Sequence, residues 1–263
     1  MKRTLLKTLF AAAALALAGS GALAQTKLKW AHVYETGEAY HKWALWAADE
    51  IKKRTANRYE VQVFPASSLG KETDINQGLT LGTVDIIYTG QAFAARNHPP
   101  LAIGGAPFMF RDFAHWKKYS ESPVLQELMD GYAKKGGNRP LAVTYYGVRH
   151  TTANKAINKP EDMAGLKLRV PDAPLYVMYP KSIGANATPI AFAEVYLALQ
   201  NKTVDAQENP LTTIEAKKFY EVQSHINLTG HITEMLLTIV SGQTWAKVSD
   251  ADNKTFAAVF KEA

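Results

Sequence analysis

Apolar positions along the chain recur in two rhythms, one of period two and one of helical spacing, and the two alternate. Residues 28–33 read as a strand. Tyr40, Trp43, Ala44, Ala47 and Ile51 then recur at helical intervals, which predicts an amphipathic helix over 38–55 with Trp43 on its apolar face. Tyr59, Val61 and Val63 alternate with polar residues and stop at Pro65, a second strand. A helix over 71–81 ends at Gly82, and 84–89 reads as a buried strand. An irregular stretch follows, then helices around 113–119 and 123–135, the second closed by Gly136 and Gly137. Residues 141–146 and 151–157 are expected to form two separate strands.

The alternation continues in the second half. A short strand is predicted at 167–170, helices at 175–183 and 192–200, a strand at 204–209 stopped by Pro210, and a helix over 211–220. Residues 226–229 and 235–241 look extended. Ser249 with Asp252 three residues on forms an S-x-x-D box that opens a last helix. That helix runs to Ala263 with Phe256, Val259 and Phe260 seeking a surface, so the chain is expected to continue past residue 263. The run L-T-L-G-T-V-D at 79–85 is echoed by L-A-L-Q-N-K-T-V-D at 197–205, each a helix end, a turn and a buried strand. The pattern as a whole is α/β, in two lobes that present strand and helix ends to a shared crevice, where such sheets bind ligands.

Composition narrows the function. The chain has 263 residues and no cysteine, which removes disulfide frameworks, zinc ribbons and thiol nucleophiles. Of 30 basic residues, three lie in the first 24 positions, which hold no acid. Met1, Lys2, Arg3 and Lys7 start a positive region, an apolar stretch follows, Gly19–Gly21 break it, and Ala22-Leu23-Ala24 offers a cleavage site before Gln25. Residues 1–24 are therefore expected to be an export signal and the mature protein periplasmic. The mild charge balance that remains and the lack of any dense basic run argue against nucleic acid.

The search for catalytic motifs finds no G-x-S-x-G elbow, H-E-x-x-H pair, P-loop or dinucleotide fingerprint, and no histidine pair at metal-ligand spacing, so no cofactor or metal is expected. His41 reads as an ordinary surface or core residue and Trp30 as core. What remains is a set of polar residues at strand ends. Arg169, between Leu168 and Val170 in a strand before Pro171, needs a partner: either a ligand carboxylate or a structural bridge to Asp172 or Glu208. Arg149, considered alone, reads as a solvated surface residue. Asn209 either turns into a cleft or caps the next helix.

Gly165-Leu166-Lys167-Leu168-Arg169-Val170-Pro171 resembles the G-x-K-x-R-x-P signature of the periplasmic solute-binding proteins of TRAP transporters, the DctP-like family. Val204-Asp205-Ala206-Gln207-Glu208-Asn209-Pro210 resembles that family's V-D-G-x-E-N-P segment, with Ala206 where glycine is usual. Phe64-Pro65, Leu69-Gly70, 81–86, 147–154 and 158–162 fit in the same order, so the likeness spans about 28 to 245. The resemblance implies a two-lobed periplasmic binding protein fold with a hinge and a central ligand cleft. The implied lobes are 25–146 with 230–263 and 147–229, with the family's C-terminal helices missing from this chain.

It implies a transport protein, not an enzyme, that closes on an organic acid and delivers it to membrane subunits of a TRAP transporter. Carried over by motif, Arg169 is the carboxylate clamp, Arg149 a second cationic contact, Asn209 a hydrogen-bond partner and Phe192 the aromatic against the ligand's carbons. His32, Glu72 and Gln91 are the expected first-lobe contacts, with Asp172 and Glu234 as further candidates. Two arginines beside several acids and amides suit a hydroxylated acid such as an aldonate or uronate, since carboxylates repel a second ligand carboxylate yet accept from hydroxyls. The same acids could instead face solvent or cap helices. A rival reading is an exported hydrolase on a similar scaffold, and another is a binding protein serving a different transporter or a sensor.

Overall fold

The computed structural model describes residues 25–263; the expected export signal at 1–24 lies outside the described residues. Along the chain run β1 (Thr26–Ala31), α1 (Ala39–Arg54), β2 (Tyr59–Phe64), α2 (Glu72–Leu81), β3 (Ile86–Gly90), α3 (Gln91–Ala94), α4 (Phe113–Ser120), α5 (Pro123–Gly136), β4 (Arg139–Ala153), β5 (Lys167–Val170), α6 (Met178–Ser182), β6 (Asn186–Pro189), α7 (Val195–Gln200), β7 (Ala206–Pro210), α8 (Leu211–Ala216), β8 (His225–Val240), α9 (Gly242–Lys247) and α10 (Asp250–Glu262). The strands form one sheet in the order β2-β1-β3-β8-β4-β7-β5-β6. Pairing is parallel at both flanks, β2-β1-β3 and β7-β5-β6, and antiparallel through the centre, β3-β8-β4-β7. The expected α/β class holds, and each flank is the core of one lobe.

The two lobes are joined by single long strands. The sequence suggested separate strands at 141–146 and 151–157, and again at 226–229 and 235–241; instead β4 and β8 run unbroken past Gly147 and Gly230. Both glycines hold positive φ, 125° and 58°, and the pairing absorbs them as irregularities rather than ends. Between Arg149 and Thr151 a two-residue step on β4 faces the step from Ile232 to Asn227 on β8, so Leu228–His231 bulge out of the ladder. At Gly147 a Cβ would stand 3.0 Å from the Pro210 side chain. The crossing is thus continuous in hydrogen bonding yet kinked at a defined place.

Other differences also have local causes. The helix expected over 175–183 is a 3-10 turn, Pro174–Val177, followed by α6, because Pro180 has no N–H to bond the Tyr176 carbonyl. β6, α3, α9 and the 3-10 turn Pro99–Gly105 were not foreseen; they are short and carry no sustained period. In α1 the buried stripe is Tyr40, Ala44, Ala47, Ala48 and Ile51. Trp43 falls on its edge, 45% exposed, and packs edge-on against Trp46 rather than in the core. Trp30 is fully buried against Tyr88 and Phe260, as expected. Gly82 ends α2 in the left-handed region, and Ser249 caps α10 by accepting from the Asp252 N–H.

Phe256, Val259 and Phe260 find their surface within the described residues. They are buried on the first lobe, with Phe256 edge-on to Tyr59 at 5.3 Å. Arg58 grips Asp252 through Nε and Nη2, and Arg54 forks onto Glu262 at 2.8 and 2.7 Å. Among the described residues no helix is long and apolar enough to cross a membrane.

Urea denaturation checks this packing. Phe256→Ala should cost about 3–5 kcal/mol through lost burial and a residual cavity. Trp43→Ala, at an exposed edge, should stay within about 0.5 kcal/mol of the parent.

Candidate functional site

A cleft between the lobes holds about 520 Å³ of space, including its open mouth. Its walls are built from strand ends and the segments just beyond them. Val33 and Tyr34 follow β1, and Gly90 ends β3. Lys71, Glu72 and Thr73 begin α2. Arg169, Pro171 and Asp172 end β5, Asn209 lies near the end of β7, and Tyr146, Arg149 and Glu234 come from the crossing strands. Phe93, Tyr176, Ala191 and Phe192 complete it. The position, at the carboxyl ends of the parallel strands, is the one sheet geometry favours.

Arg149 is not a solvated residue. It is buried at the crossing and held by carboxylates from both neighbouring strands. Its Nε and Nη2 donate to the Glu208 carboxylate, Nη2 also to the Glu208 carbonyl at 2.8 Å, and Nη1 to Glu234 Oε2 at 2.5 Å. Asn209 Oδ1 accepts a further bond at 3.3 Å, and the guanidinium lies 5.0 Å from the Tyr176 ring centre. Burial alone would raise the Glu208 carboxyl, but Arg149 and the His231 bond bring it down to about 2. Glu234 remains raised by burial despite Arg149, and the Tyr176 hydroxyl donates to it. His231 lies flat on Tyr179, ring centres 4.0 Å apart, and burial lowers its imidazole.

Arg169 is also buried, yet it has no carboxylate. Nε and Nη2 both donate to the Ile190 carbonyl, at 2.9 and 2.7 Å, and Nη1 is buried without a partner. Neither structural bridge considered from sequence forms: Glu208 belongs to Arg149, and Asp172 pairs with Arg96 at the mouth, 3.3 Å away. Burial pulls the Arg169 guanidinium down to about 10, which still leaves it cationic at neutral pH. Asn209 bridges the two arginines' surroundings, accepting from Tyr146 Oη at 3.4 Å and donating to Gln207 Oε1 at 2.7 Å. It faces the cleft and does not cap α8 through its side chain.

Glu72 stands at the start of α2, where Oε1 accepts from Gly90 N and Thr89 Oγ1, each at 2.8 Å. Burial raises this carboxyl to about 7. Phe192 lines the cleft with the Lys217 ammonium 5.2 Å from its ring centre. Asp172 sits at the rim, largely exposed. Glu234 lines the wall, but both its oxygens are engaged, one with Tyr176 and one with Arg149.

Two expected contacts lie elsewhere. His32 is buried behind the wall, bonded to His41 Nδ1 at 3.2 Å, and burial lowers it to about 3. Gln91 is buried under Gly104 and Gly105, where a Cβ on either glycine would come within 2.7 or 2.8 Å of its amide. Both were chosen for following a strand end, and in each case the chain turns the side chain into the first lobe. Sequence reasoning missed Tyr34, Tyr146 and Tyr176, aromatic residues with no motif around them. Lys71–Glu194 at 3.3 Å, Arg96–Asp172, and Lys217–Glu35 at 2.8 Å span the mouth, with Thr213 donating to Glu38 at 2.7 Å. Among the described residues no group of three or more His, Asp or Glu could hold a metal ion.

Residues 30–263 match the profile of bacterial extracellular solute-binding protein family 7, DctP. A TRAP periplasmic solute-binding protein from Polaromonas, solved bound to D-erythronate, is 37% identical with a TM-score of 0.86, covering 90% of this chain and 78% of that one. The counterpart from Roseobacter denitrificans with bound L-galactonate is 34% identical, TM-score 0.86, with coverage of 89% and 78%. One from Sulfurospirillum deleyianum with bound succinate is 33% identical, TM-score 0.85, with coverage of 91% and 77%.

The raised Glu72 carboxyl makes a pH prediction. Its folded value, about 7, exceeds the ordinary 4.5, so folding favours the protonated form. The resulting contribution is intact below pH 4.5 and is lost as pH rises to about 7, a cost of up to about 3 kcal/mol. Glu72→Gln keeps the acceptor oxygen and removes the charge. Its melting temperature relative to the parent should rise between pH 4 and pH 8; a flat difference would contradict the assignment.

Proposed function

Because this chain belongs to bacterial extracellular solute-binding protein family 7, the binding proteins of TRAP transporters, we propose that its cleft captures a small hydroxylated organic acid, an aldonate or uronate. The protein would deliver that acid from the periplasm to the transporter's membrane subunits. The observation that carries this reading is Arg169 Nη1, a buried cationic donor on the cleft wall with no partner. An uncompensated buried guanidinium is costly, and a planar carboxylate supplies both the charge and the acceptor it lacks. The match to D-erythronate- and L-galactonate-bound relatives supports the hydroxylated class; the succinate-bound relative defines the alternative to test.

In this reading Arg169 clamps the carboxylate and Asn209 and Phe192 flank it. Arg149 is largely spent on Glu208 and Glu234, so it holds the clamp's surroundings in place more than it grips the ligand. Glu72 reads a hydroxyl. The two lobes, 25–146 with 230–263 and 147–229, close around the ligand by bending at the bulged crossing of β4 and β8. The hydrolase alternative gains no support: the Ser224–His225 hydrogen bond lies on the surface, away from the cleft. We read the cleft as a binding site that returns its ligand unchanged.

The experiment is a thermal-shift and calorimetric panel of D-erythronate, L-galactonate, β-D-galacturonate, succinate and an aromatic acid. Hydroxylated acids should stabilise the parent most. Arg169→Ala should weaken the best of them by about 3 kcal/mol, on the order of 100-fold, and Arg169→Lys should not restore it. Without ligand, Arg169→Ala should melt no lower than the parent, since it removes an unpaired buried charge. Parent-like affinity in Arg169→Ala would sink the clamp, and stabilisation by succinate alone would sink the ligand class.

A further inference from the structure

One polar group on the cleft wall is used neither by the clamp nor by the internal hydrogen bonds. Tyr34, just beyond the end of β1, is buried to 3% exposure and lines the cleft. Its ring is fixed by Tyr40 at 5.2 Å, Tyr146 at 5.3 Å and His32 at 5.9 Å. The neighbouring phenols spend their hydroxyls inside the protein. Tyr40 donates to the Tyr146 carbonyl at 2.9 Å, and the Tyr146 hydroxyl lies within hydrogen-bond distance of Thr213 Oγ1, at 3.0 Å, and of Asn209 Oδ1, at 3.4 Å.

The Tyr34 hydroxyl has no such partner among the described residues, and the residue lines the cleft. Burial keeps it protonated, and the nearby Glu72 and Glu234 act in the same direction. Glu72 lines the same cleft with one oxygen engaged, by Thr89 and Gly90, and the other without a hydrogen bond among the described residues. A fixed phenol donor and a carboxyl acceptor together match one chemical group, a hydroxyl, which both accepts and donates. A second ligand carboxylate would accept from Tyr34 but meet the acids beside it, and a bare carbon would leave the phenol unpaired.

We propose that Tyr34 contacts the ligand and determines specificity, its hydroxyl pairing with a hydroxyl of a polyhydroxylated monocarboxylate held at Arg169. This rests on the reading of the cleft as a site for a hydroxylated acid. A site built to hydrogen-bond a hydroxyl discriminates strongly against ligands that lack one, and the rigid aromatic surround means the protein cannot repack to hide the loss.

Calorimetry of the parent, Tyr34→Phe and Tyr40→Phe against D-erythronate, L-galactonate and succinate tests it. Tyr34→Phe should weaken the tighter hydroxylated probe by about 10-fold or more and leave succinate within about 2-fold of the parent. Tyr40→Phe, whose lost hydroxyl is an internal donor, should leave the ratio of hydroxylated to plain acid unchanged. Unaltered affinity of Tyr34→Phe for the hydroxylated probes, equal losses for all three acids, or the same change of ratio in Tyr40→Phe would overturn the role of Tyr34 and leave the cleft's function standing. A parent that binds none of the hydroxylated probes would overturn both.

Discussion

The guanidinium of Arg149 is the point on which the rest of the molecule is arranged. It lies on β4 with Glu208 from β7 and Glu234 from β8 on either side, so the two strands that cross between the lobes and the neighbouring strand of the second lobe meet at one charged group. A buried cation is tolerable only when its counter-ions are held in place, and each of these is itself held, Glu208 by His231 and Glu234 by Tyr176. His231 in turn is sandwiched with Tyr179. The network therefore sets the register of the long strands, beside the bulge where they bend.

The second arginine gains its meaning from this contrast. Arg149 and Arg169 are equally buried, but one has two carboxylates and the other a single backbone carbonyl. With Glu208 taken and Asp172 drawn to the rim by Arg96, no acid within the protein is left for Arg169. The cleft carries a standing deficit of negative charge at one end and, at Glu72, a carboxyl that resists ionising at the other. An acid with neutral polar groups along its chain satisfies both ends at once. Two of the ion pairs that span the mouth, Lys71–Glu194 and Arg96–Asp172, are exposed and individually weak, so the interior, rather than the rim, decides which ligand is held.

Much of this was legible in the sequence because it depends on local patterns. The strand–helix alternation, the glycine stops at Gly82 and Gly137, the cap at Ser249, and an arginine flanked by Leu168 and Val170 all follow from periodicity or from the cost of burying charge. The continuity of β4 and β8 was not legible. Gly147 and Gly230 look like ends in one dimension and become bulges only when the partner strand supplies hydrogen bonds on both sides. His32 and Gln91 failed as site residues for a related reason: a position after a strand end says that the chain nears the cleft, but not which way the side chain turns. Arg149 read as a surface residue because its counter-ions lie far away in sequence. Trp43 shows the limit of helical spacing, in which one step of 100° separates the core from its margin.

The place of β8 has a further consequence, for the order in which the molecule can be made. Met235 to Val240 sit between β3 and β4, with Ile86 paired to Val240 and Arg139 paired to Val240 on the other side. The sheet of the first lobe thus lacks its central strand until residues 235–240 have been made, and its closure joins Ile86 to Val240. Contacts so distant are slow to form, because the entropy of closing the loop is lost before any burial rewards it. A nascent chain of this design stays without a finished core while it emerges. Folding of the first lobe would finish only once β8 and the helix behind it have joined the strands made long before them.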